Sequence, residues 1–287
     1  METASNWKVM WKEVRHDKLA LCGLVLFVAL VLTVYIWAFF IDEAQAIRLN
    51  LSNMNRAPSA RHIMGTDPLG RDMLTQLVLS SRNSLNISFI VTIAGSGIGM
   101  FLGLVMGYYG KFVDFAMMRV IALWGMIPNL MLIMLFRTMF NPDVLGFSLI
   151  MIIVGGWGGM AMMMRIMTFR QGALDYVAAS KTLGSPNIMI IFREVLPNLV
   201  SIISSYLTIL LAGNMGLETG LTFLGFGLPP GTPSLGTLIA YARNPATMQN
   251  RPWQWLPAAL LIFILMLCIN FVGQALNRAA DAKKRKV

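Results

Sequence analysis

Residues 19–41 read LALCGLVLFVALVLTVYIWAFFI, a run of 23 residues without a single charged side chain. A helix needs about 20 apolar residues to cross the hydrocarbon core of a bilayer, so this run is long enough to span one. It is too long for the apolar part of a typical cleavable signal peptide, and we predict none. The stretch predicts an integral membrane protein.

The composition of the whole chain agrees with this prediction. Of its 287 residues, 56% are hydrophobic and only 13% are charged, whereas soluble proteins average about 25% charged residues. The length predicts one membrane domain and no second globular domain of ordinary size. The net charge of +10 does not require a nucleic-acid partner, because membrane proteins collect Lys and Arg in their cytoplasmic loops.

Six further uncharged runs are about long enough to span a membrane: 83–110, 120–136, 144–164, 195–217, 219–242 and 252–277. We reject 219–242, because seven of the twelve residues in 225–236 are Gly or Pro and lipid cannot satisfy an irregular backbone. It is better interpreted as a loop or a re-entrant surface. The sequence therefore predicts an all-α integral membrane protein with six transmembrane helices.

The lysines predict the orientation. With six spans both termini lie on one side, and placing that side in the cytoplasm puts all eight lysines there. They are Lys8, Lys12, Lys18, Lys111, Lys181, Lys283, Lys284 and Lys286. We predict three segments: residues 1–82 with the N-terminal tail, first helix and an outer loop; residues 83–280 with five helices and a loop at about 170–195; and a basic cytoplasmic tail, 281–287.

The predicted inner loop contains DYVAASKTLGSPNIMIIFREVLP, residues 175–197. Asp175 is a plausible N-cap of a short helix, and Gly184 can adopt the left-handed conformation that ends it. Ser185 would cap a second helix that has Pro186 at its first position. Ala178 and its neighbour Ala179 would give a low surface that a groove in another protein could approach closely. An ordinary amphipathic connector is the alternative interpretation.

This stretch resembles the signature loop of ABC importer permeases: Glu-Ala-Ala, three residues, Gly, nine residues, Ile-x-Leu-Pro. Ala179, Gly184, Leu196 and Pro197 match, and Tyr176, Val177 and Ala179 resemble the Tyr-Val-x-Ala variant of peptide-importer permeases. Ala178, Ser180 and Glu194 stand where that pattern has Glu, Ala and Ile. The resemblance implies a type I ABC importer permease fold, whose coupling helix sits in a cleft of an ATPase subunit. The implied contact residues are Asp175, Tyr176, Ala178, Ala179, Ser180, Lys181, Gly184 and Ser185.

A second motif lies in the predicted outer loop, at HIMGTDPLGRDMLTQLVLSSRNSL, residues 62–85. Thr66 or Asp67 could cap an amphipathic helix in the membrane interface, with Pro68 at its first position. The pattern also resembles the pre-span motif of C-type permeases of dipeptide and oligopeptide importers. That resemblance implies contact with the external binding protein or the translocation entrance. It rests on His62, Gly65, Thr66, Asp67, Gly70, Arg71 and Asp72.

Two further stretches, LTFLGFGLPPGTPSLG at 221–236 and RPWQWLP at 251–257, resemble the outer loop before the last span of the same family. Glu218 lies about one turn from the outer end of its predicted span. A buried carboxylate is costly unless paired, so Glu218 is a functional candidate. Pairing with Arg137 is one possibility and a proton relay another, while Arg119 and Arg165 are expected to reach the inner surface.

Glycines at 95, 97, 99, 103 and 107 give small-xxx-small spacing, which predicts close contact with another helix. The sequence has no nucleotide-binding loop and suggests no set of nucleophile, base and orienting residue. Two histidines cannot form a metal site by themselves. We therefore expect no enzyme activity and no bound metal. The 23 Met residues are interpreted as packing material, with a metal path as a weaker alternative.

The resemblance implies a permease subunit of an ATP-driven peptide importer in the cell membrane. Its implied partners are a second related permease, two cytoplasmic ATPases that bind ATP and Mg, an extracellular or periplasmic substrate-binding protein, the peptide and the bilayer. No cofactor is expected on this chain. Related permeases serve nickel or glutathione, so these substrates stay open. A stand-alone secondary carrier is less favoured, because charges in the middle of the spans are scarce.

Overall fold

A computed structural model describes residues 11, 13–229 and 231–284. Lys8, Lys12, Pro230 and Lys286, used in the predictions above, lie outside the described residues. The described part of the chain is built from helices and turns, with one isolated antiparallel bridge between Thr66 and Asp72.

After a helical stretch at residues 13–16, twelve helices follow one another in the described residues. They are α1 (Lys18–Phe39), α2 (Glu43–Ala46), α3 (Met73–Tyr109), α4 (Lys111–Gly125), α5 (Asn129–Phe140), α6 (Val144–Gly156), α7 (Gly158–Gly172), α8 (Asp175–Thr182), α9 (Asn187–Leu224), α10 (Leu235–Ile239), α11 (Pro245–Asn250) and α12 (Leu256–Lys284). Three short 3-10 turns, Leu51–Asn53, Ala240–Arg243 and Pro252–Gln254, lie in the connections. The predicted tail 281–287 is helical as far as Lys284.

Four of these helices, α1, α3, α9 and α12, are each long and apolar enough to cross a membrane. Two bent pairs pass the same test, α4 with α5 at 68° and α6 with α7 at 44°, which makes up to six spans. The first bend falls at Pro128, which lacks an N–H and disfavours helix in the residue before it. The uncharged run 120–136 is therefore broken in its middle, which the composition alone did not indicate.

The glycine stripe on α3 confirms the predicted close helix contact. A Cβ atom added to Gly103 would lie 2.5 Å from the carbonyl oxygen of Ala161 on α7, and one on Gly107 would lie 2.5 Å from that of Arg165. Gly95 approaches Gly156 in the same way, also at 2.5 Å. Each glycine therefore lets the backbones of α3 and α6–α7 touch. Gly97 is different, because no atom lies within 4 Å of its added Cβ.

Residues 219–242 form no separate span, as predicted. Helix α9 continues through Leu224 and ends at Gly225, which has a left-handed φ of 92°. The chain then passes through a Gly- and Pro-rich loop into α10, which Ser234 caps with its side chain and Thr237 completes as a capping box. Gly can adopt a positive φ without a steric penalty, so it ends the helix here.

The predicted amphipathic helix starting at Thr66 or Asp67 is wrong. Helix α3 begins at Met73 and is capped by Asp72, whose Oδ1 accepts a hydrogen bond from the Thr75 N–H at 3.0 Å. The Asp67 carboxylate instead accepts the N–H groups of Leu69 and Arg71, both at 2.8 Å, and holds the chain in a turn. The later part of this motif and the predicted second span thus form one helix, α3, which begins ten residues before the apolar run at 83.

Four apolar clusters hold the described helices together, the smallest of them around Ala20 and Ala275 between α1 and α12. One joins α1, α3, α9 and α12 around Leu85, Met215 and Leu265, and a second joins α3, α5 and α6 around Ile87 and Phe147. The third cluster brings α8 onto the bundle and includes Leu104, Met164, Val177, Ile190 and Leu199. Helix α8 therefore rests on the membrane helices through a buried apolar contact.

Candidate functional site

The predicted helix–Gly–helix of the inner loop exists, with small changes at its caps. Leu174 takes the N-cap position of α8, and Asp175 is the first helical residue. There its carboxylate still favours the positive end of the helix dipole. Gly184 has the predicted left-handed φ, +79°. The next helix begins at Asn187 with Pro186 before it and no side-chain cap, so the predicted capping by Ser185 is wrong.

Side chains on one side of α8 attach it to the bundle. Val177 is fully buried in the third cluster, and the Ser180 hydroxyl donates to Glu194 Oε1 at 2.5 Å. The Tyr176 hydroxyl donates to Gln171 Oε1 at 2.7 Å; burial raises the pKa of Tyr176 above its ordinary value. The position of α8 is thus set by both the helix before it and the helix after it.

Two contacts join α3 to this loop. The Lys181 ammonium lies 4.9 Å from the centre of the Tyr108 ring, within the range of a cation–π contact. The Tyr108 hydroxyl is 3.0 Å from Asn187 Oδ1 at the start of α9. The C-terminal end of α3, helix α8 and the N-terminal end of α9 therefore pack together at one corner of the molecule.

The other side of α8 faces outward. Leu183, the residue that follows α8, is 85% exposed, and Ile188, in the first turn of α9, is 68% exposed. Small side chains lie between the larger ones. Of the eight predicted contact residues, five are exposed (Asp175, Ala178, Ala179, Lys181 and Gly184), two are half-buried (Tyr176 and Ser185) and Ser180 is buried. This outward face combines low-profile alanines with exposed apolar side chains, which is the composition of a protein-binding surface.

Two of the departures from the permease pattern contact each other. Ser180 and Glu194 stand where the pattern has Ala and Ile, and they form the hydrogen bond described above. The second carboxylate oxygen, Glu194 Oε2, is buried without a partner among the described residues. A polar pair therefore replaces an apolar contact between α8 and α9. From the sequence alone, these two residues were separate departures from the permease pattern, with no sign that they contact each other.

The second motif, residues 62–72, is organised around the buried carboxylate of Asp67. Its Oδ2 accepts from Arg71 Nε at 2.7 Å and from the Tyr241 hydroxyl at 3.1 Å, and Arg71 Nη2 donates to the same hydroxyl at 3.1 Å. Burial and the nearby Asp67 charge raise the pKa of Tyr241 to about 12. Although burial opposes it, Asp67 and Tyr241 keep the pKa of Arg71 above its usual value.

The motif at residues 62–72 and the stretch at residues 251–257 contact each other. The Thr66 carbonyl accepts from Gln254 Nε2 at 2.9 Å, and both residues are fully buried. Gly65 has a φ of +70°, and an added Cβ would lie 2.9 Å from the Trp253 ring. His62 Nδ1 is 3.0 Å from Asp72 Oδ2, the cap of α3. The 62–72 motif and the 251–257 motif therefore form one folded unit at the start of α3 and α12.

A cavity of about 580 Å³ opens beside this unit. It is lined by Asp42, Arg48, His62, Arg71 and Asp72 among others, so both signs of charge face it. Such a mixture suits a zwitterionic or polar ligand, or the polar surface of a protein partner. The sequence motif supplied four of its lining residues, His62, Gly70, Arg71 and Asp72.

Glu218 is completely buried but does not pair with Arg137. Its carboxylate oxygens accept from the hydroxyls of Thr222 at 3.1 Å and Thr219 at 3.3 Å. Arg137 instead donates from Nε to the Gly227 carbonyl at 2.8 Å. The predicted pair is thus wrong, since hydroxyl groups hold the Glu218 carboxylate and a backbone carbonyl holds Arg137.

Comparison with known families identifies the kind of protein. A family model described as "Binding-protein-dependent transport system inner membrane component" matches residues 99–286. A second, described as "N-terminal TM domain of oligopeptide transport permease C", matches residues 5–58. The chain belongs to the binding-protein-dependent transport system inner membrane components. It is a multi-pass membrane protein.

Relatives of this inner membrane component extend along most of the chain. It is 42% identical over 275 residues to the oligopeptide transport system permease protein OppC of Lactococcus lactis subsp. cremoris (strain SK11), covering 95% of this chain and 93% of that protein. It is 32% identical over 276 residues to the dipeptide transport system permease protein DppC of Bacillus subtilis (strain 168), covering 96% and 85%. The sequence resemblance to peptide-importer permeases is confirmed.

A solved structure of the MetNI methionine ABC transporter, in inward-facing conformations, has a similar fold. The TM-score is 0.54 at 19% sequence identity, and the match covers 72% of this chain and 97% of that chain. The helical bundle of this inner membrane component is thus an ABC-transporter fold.

Sequence reasoning missed several partners that shape these sites. Tyr241 contacts Asp67 across 174 positions of the chain, and Gln254 contacts Thr66 across 188. Asp114, which pairs with Arg165 through two N–H groups, was not singled out at all. An acidic residue in a largely apolar segment was the available signal, because such a charge is costly unless a cation is near.

Proposed function

We propose that this chain is one of two membrane-spanning subunits of an ATP-driven peptide importer. The observation that carries the proposal is helix α8, which is attached to α7 and α9 on one side and has an open face of Ala178, Ala179 and Leu183 on the other. The substrate class comes from the relatives, which are named as oligopeptide and dipeptide permeases.

In the proposed topology each bent pair of helices is one span, giving six spans of type I arrangement with both termini in the cytoplasm. The eight lysines support this orientation. Helix α8 then lies on the cytoplasmic side, and the unit formed by residues 62–72 and 251–257 lies outside.

The proposed mechanism is alternating access driven from the cytoplasm. Two ATPase subunits bind ATP and Mg, and the cleft of one of them holds α8. When the ATPases close, α8 moves, and its contacts through Val177 and Ser180 pass the movement to α9 at Ile190 and Glu194. This chain contributes no catalytic group and binds no cofactor.

On the outer side, an extracellular or periplasmic binding protein delivers the peptide to the unit around Asp67. A second, related permease completes the pathway. The Asp67–Arg71–Tyr241 network supports this role because it keeps the docking surface rigid, which lowers the entropy lost on binding. Selection among peptides then rests mostly with the binding protein.

Cysteine accessibility and cross-linking test the proposal. In a background with Cys22→Ser and Cys268→Ala, Ala179→Cys should react with a membrane-impermeant maleimide only after cells are permeabilised, and should cross-link to an ATPase subunit. Leu49→Cys is the matched control, since Leu49 is 64% exposed in the proposed outer loop and should react in intact cells. Labelling of Ala179→Cys from outside, or cross-links to no ATPase, would refute the proposal.

A further inference from the structure

A second cavity, of about 390 Å³, lies between the end of α3, the start of α4 and helix α7. Its lining includes Gly107, Lys111, Asp114, Arg165 and Arg170. It is next to the corner that holds α8, because Tyr108, which contacts Lys181 and Asn187, directly follows Gly107. In the proposed topology the cavity lies at the level of the inner lipid headgroups.

The cavity carries a net positive charge. Three cations line it against one carboxylate, and that carboxylate, Asp114, is already engaged by Arg165. Lys111 and Arg170 are exposed and have no hydrogen-bond or ion-pair partner among the residues that the structure describes. Two uncompensated positive charges therefore face one concave surface, and an anion is the ligand that would satisfy them.

The backbone at the cavity is unusual. Gly110, between α3 and α4, and Lys111, the first residue of α4, have positive φ values of 57° and 42°. A positive φ is uncommon in a residue with a side chain and costs conformational energy. Backbone strain of this kind often marks a binding site, because the surrounding structure must hold it in place. Here it places Lys111 at the rim of the cavity.

The surroundings of the cavity indicate what kind of anion would enter. Phe169 lines it and is 68% exposed, and Phe112, which directly follows the lining residue Lys111, is 79% exposed. In a membrane-spanning chain such side chains contact acyl chains. A soluble anion would use only the positive charges, whereas a phospholipid would use the charges and the aromatic flanks together.

We propose that this cavity binds the phosphate headgroup of an anionic phospholipid of the inner leaflet. Lys111 and Arg170 hold the phosphate, Arg165 orients the site while paired with Asp114, and the phenylalanines contact the lipid chains. Basic pockets between helices on the cytoplasmic side are suited to such headgroups. The leaflet, but not the site itself, rests on the proposed orientation.

Lipid retention measured by native mass spectrometry tests the site. The full chain is purified with the subunits that accompany it and titrated with phosphatidylglycerol or phosphatidylcholine. Lys111→Gln and Arg170→Gln should each weaken phosphatidylglycerol retention about fivefold, and together about thirtyfold, on the basis of the usual contribution of each basic residue. Phosphatidylcholine binding should be weak and unchanged.

Arg119→Gln is the matched control. It removes one charge from the same helix, α4, at an exposed position outside the cavity, where the guanidinium lies 4.9 Å from the Phe115 ring centre. It should leave retention unchanged. An equal loss in Arg119→Gln, or equal binding of the two lipids, would overturn the proposal.

Adding excess inorganic phosphate to the lipid-bound protein distinguishes a site for a phospholipid headgroup from a site for a soluble anion. The lipid should stay bound, because phosphate cannot replace its acyl contacts, and displacement by phosphate would instead show a site for a soluble anion. This readout needs no transport, so it can succeed or fail independently of the proposed importer function.

Discussion

Replacing Gly103 with Ala should separate helices α3 and α7. The added Cβ would lie 2.5 Å from both the Ala161 carbonyl oxygen and Met164 Cβ, and 2.9 Å from the Arg165 nitrogen. Ordinary van der Waals contact begins at 3.4 Å. All three neighbours are backbone or Cβ atoms, so no change of side-chain rotamer can relieve the overlap. The helices must move apart by roughly 1 Å at this level, in a tightly packed interior.

Two opposing effects set the change in unfolding free energy that Gly103→Ala causes. Forcing an extra methyl group into a packed contact costs about 1–3 kcal/mol. Alanine also has a better helix propensity than glycine, by about 1 kcal/mol. Gly97→Ala is the matched control, because it adds the same atom to the same helix where nothing lies within 4 Å. It keeps the propensity gain without the overlap, so the two variants should differ by the whole steric cost.

Denaturation of the purified protein in mixed detergent micelles measures this difference. Gly97→Ala should unfold at the same or a higher denaturant concentration than the unaltered chain, and Gly103→Ala at a lower one. If both variants unfolded at the same denaturant concentration, the close contact between α3 and α7 would not exist as described.

Three further outcomes are expected. Ser180→Ala should loosen α8 by about 1–3 kcal/mol, since it removes the donor to a buried carboxylate; faster hydrogen exchange of residues 175–182 measures this, and unchanged exchange contradicts the bond to Glu194. Because the pKa of Tyr241 is raised to about 12, the unfolded chain loses this proton first, so stability should fall between about pH 10 and about pH 12. Tyr241→Phe should flatten that fall, and an identical pH profile would count against the network with Asp67. Glu218→Gln should preserve peptide uptake, since its partners are hydroxyls that can also accept from an amide; loss of uptake in a folded variant would revive a proton-relay role.

The long apolar helices were predictable from the sequence, and the polar helical residues that other helices cover were less so. The second span was predicted to start at 83 because Arg82 ends the uncharged run, and the polar residues Ser80, Ser81 and Ser84 lie on either side of it. All three are completely buried inside the bundle, and the Ser81 hydroxyl donates to the Leu77 carbonyl at 2.6 Å. A hydropathy pattern measures compatibility with lipid and is blind to polar side chains that other helices cover.

The sequence predicted where the residues of the candidate site lie along the chain, but it did not predict which residues contact one another. Gly184 and the outward alanines of α8 could be read locally, because a turn and a helix face depend on nearby residues. The bond between Ser180 and Glu194 spans 14 residues, and the contact of Asp67 with Tyr241 spans 174. Such pairs depend on how helices meet, and a single sequence carries no signal for that.

The length of α9 has a mechanical consequence. At 1.5 Å per residue its 38 residues extend about 57 Å, nearly twice the hydrocarbon thickness of a bilayer. It is therefore longer than one hydrocarbon core, and in the proposed mechanism it could turn as one rigid rod. A swing of about 10° about one end would carry the other end roughly 10 Å, by the same geometry. A small movement applied at Glu194 would then become a larger one near Thr222, and the buried contacts of Leu199, Ala212 and Met215 would have to shift with it.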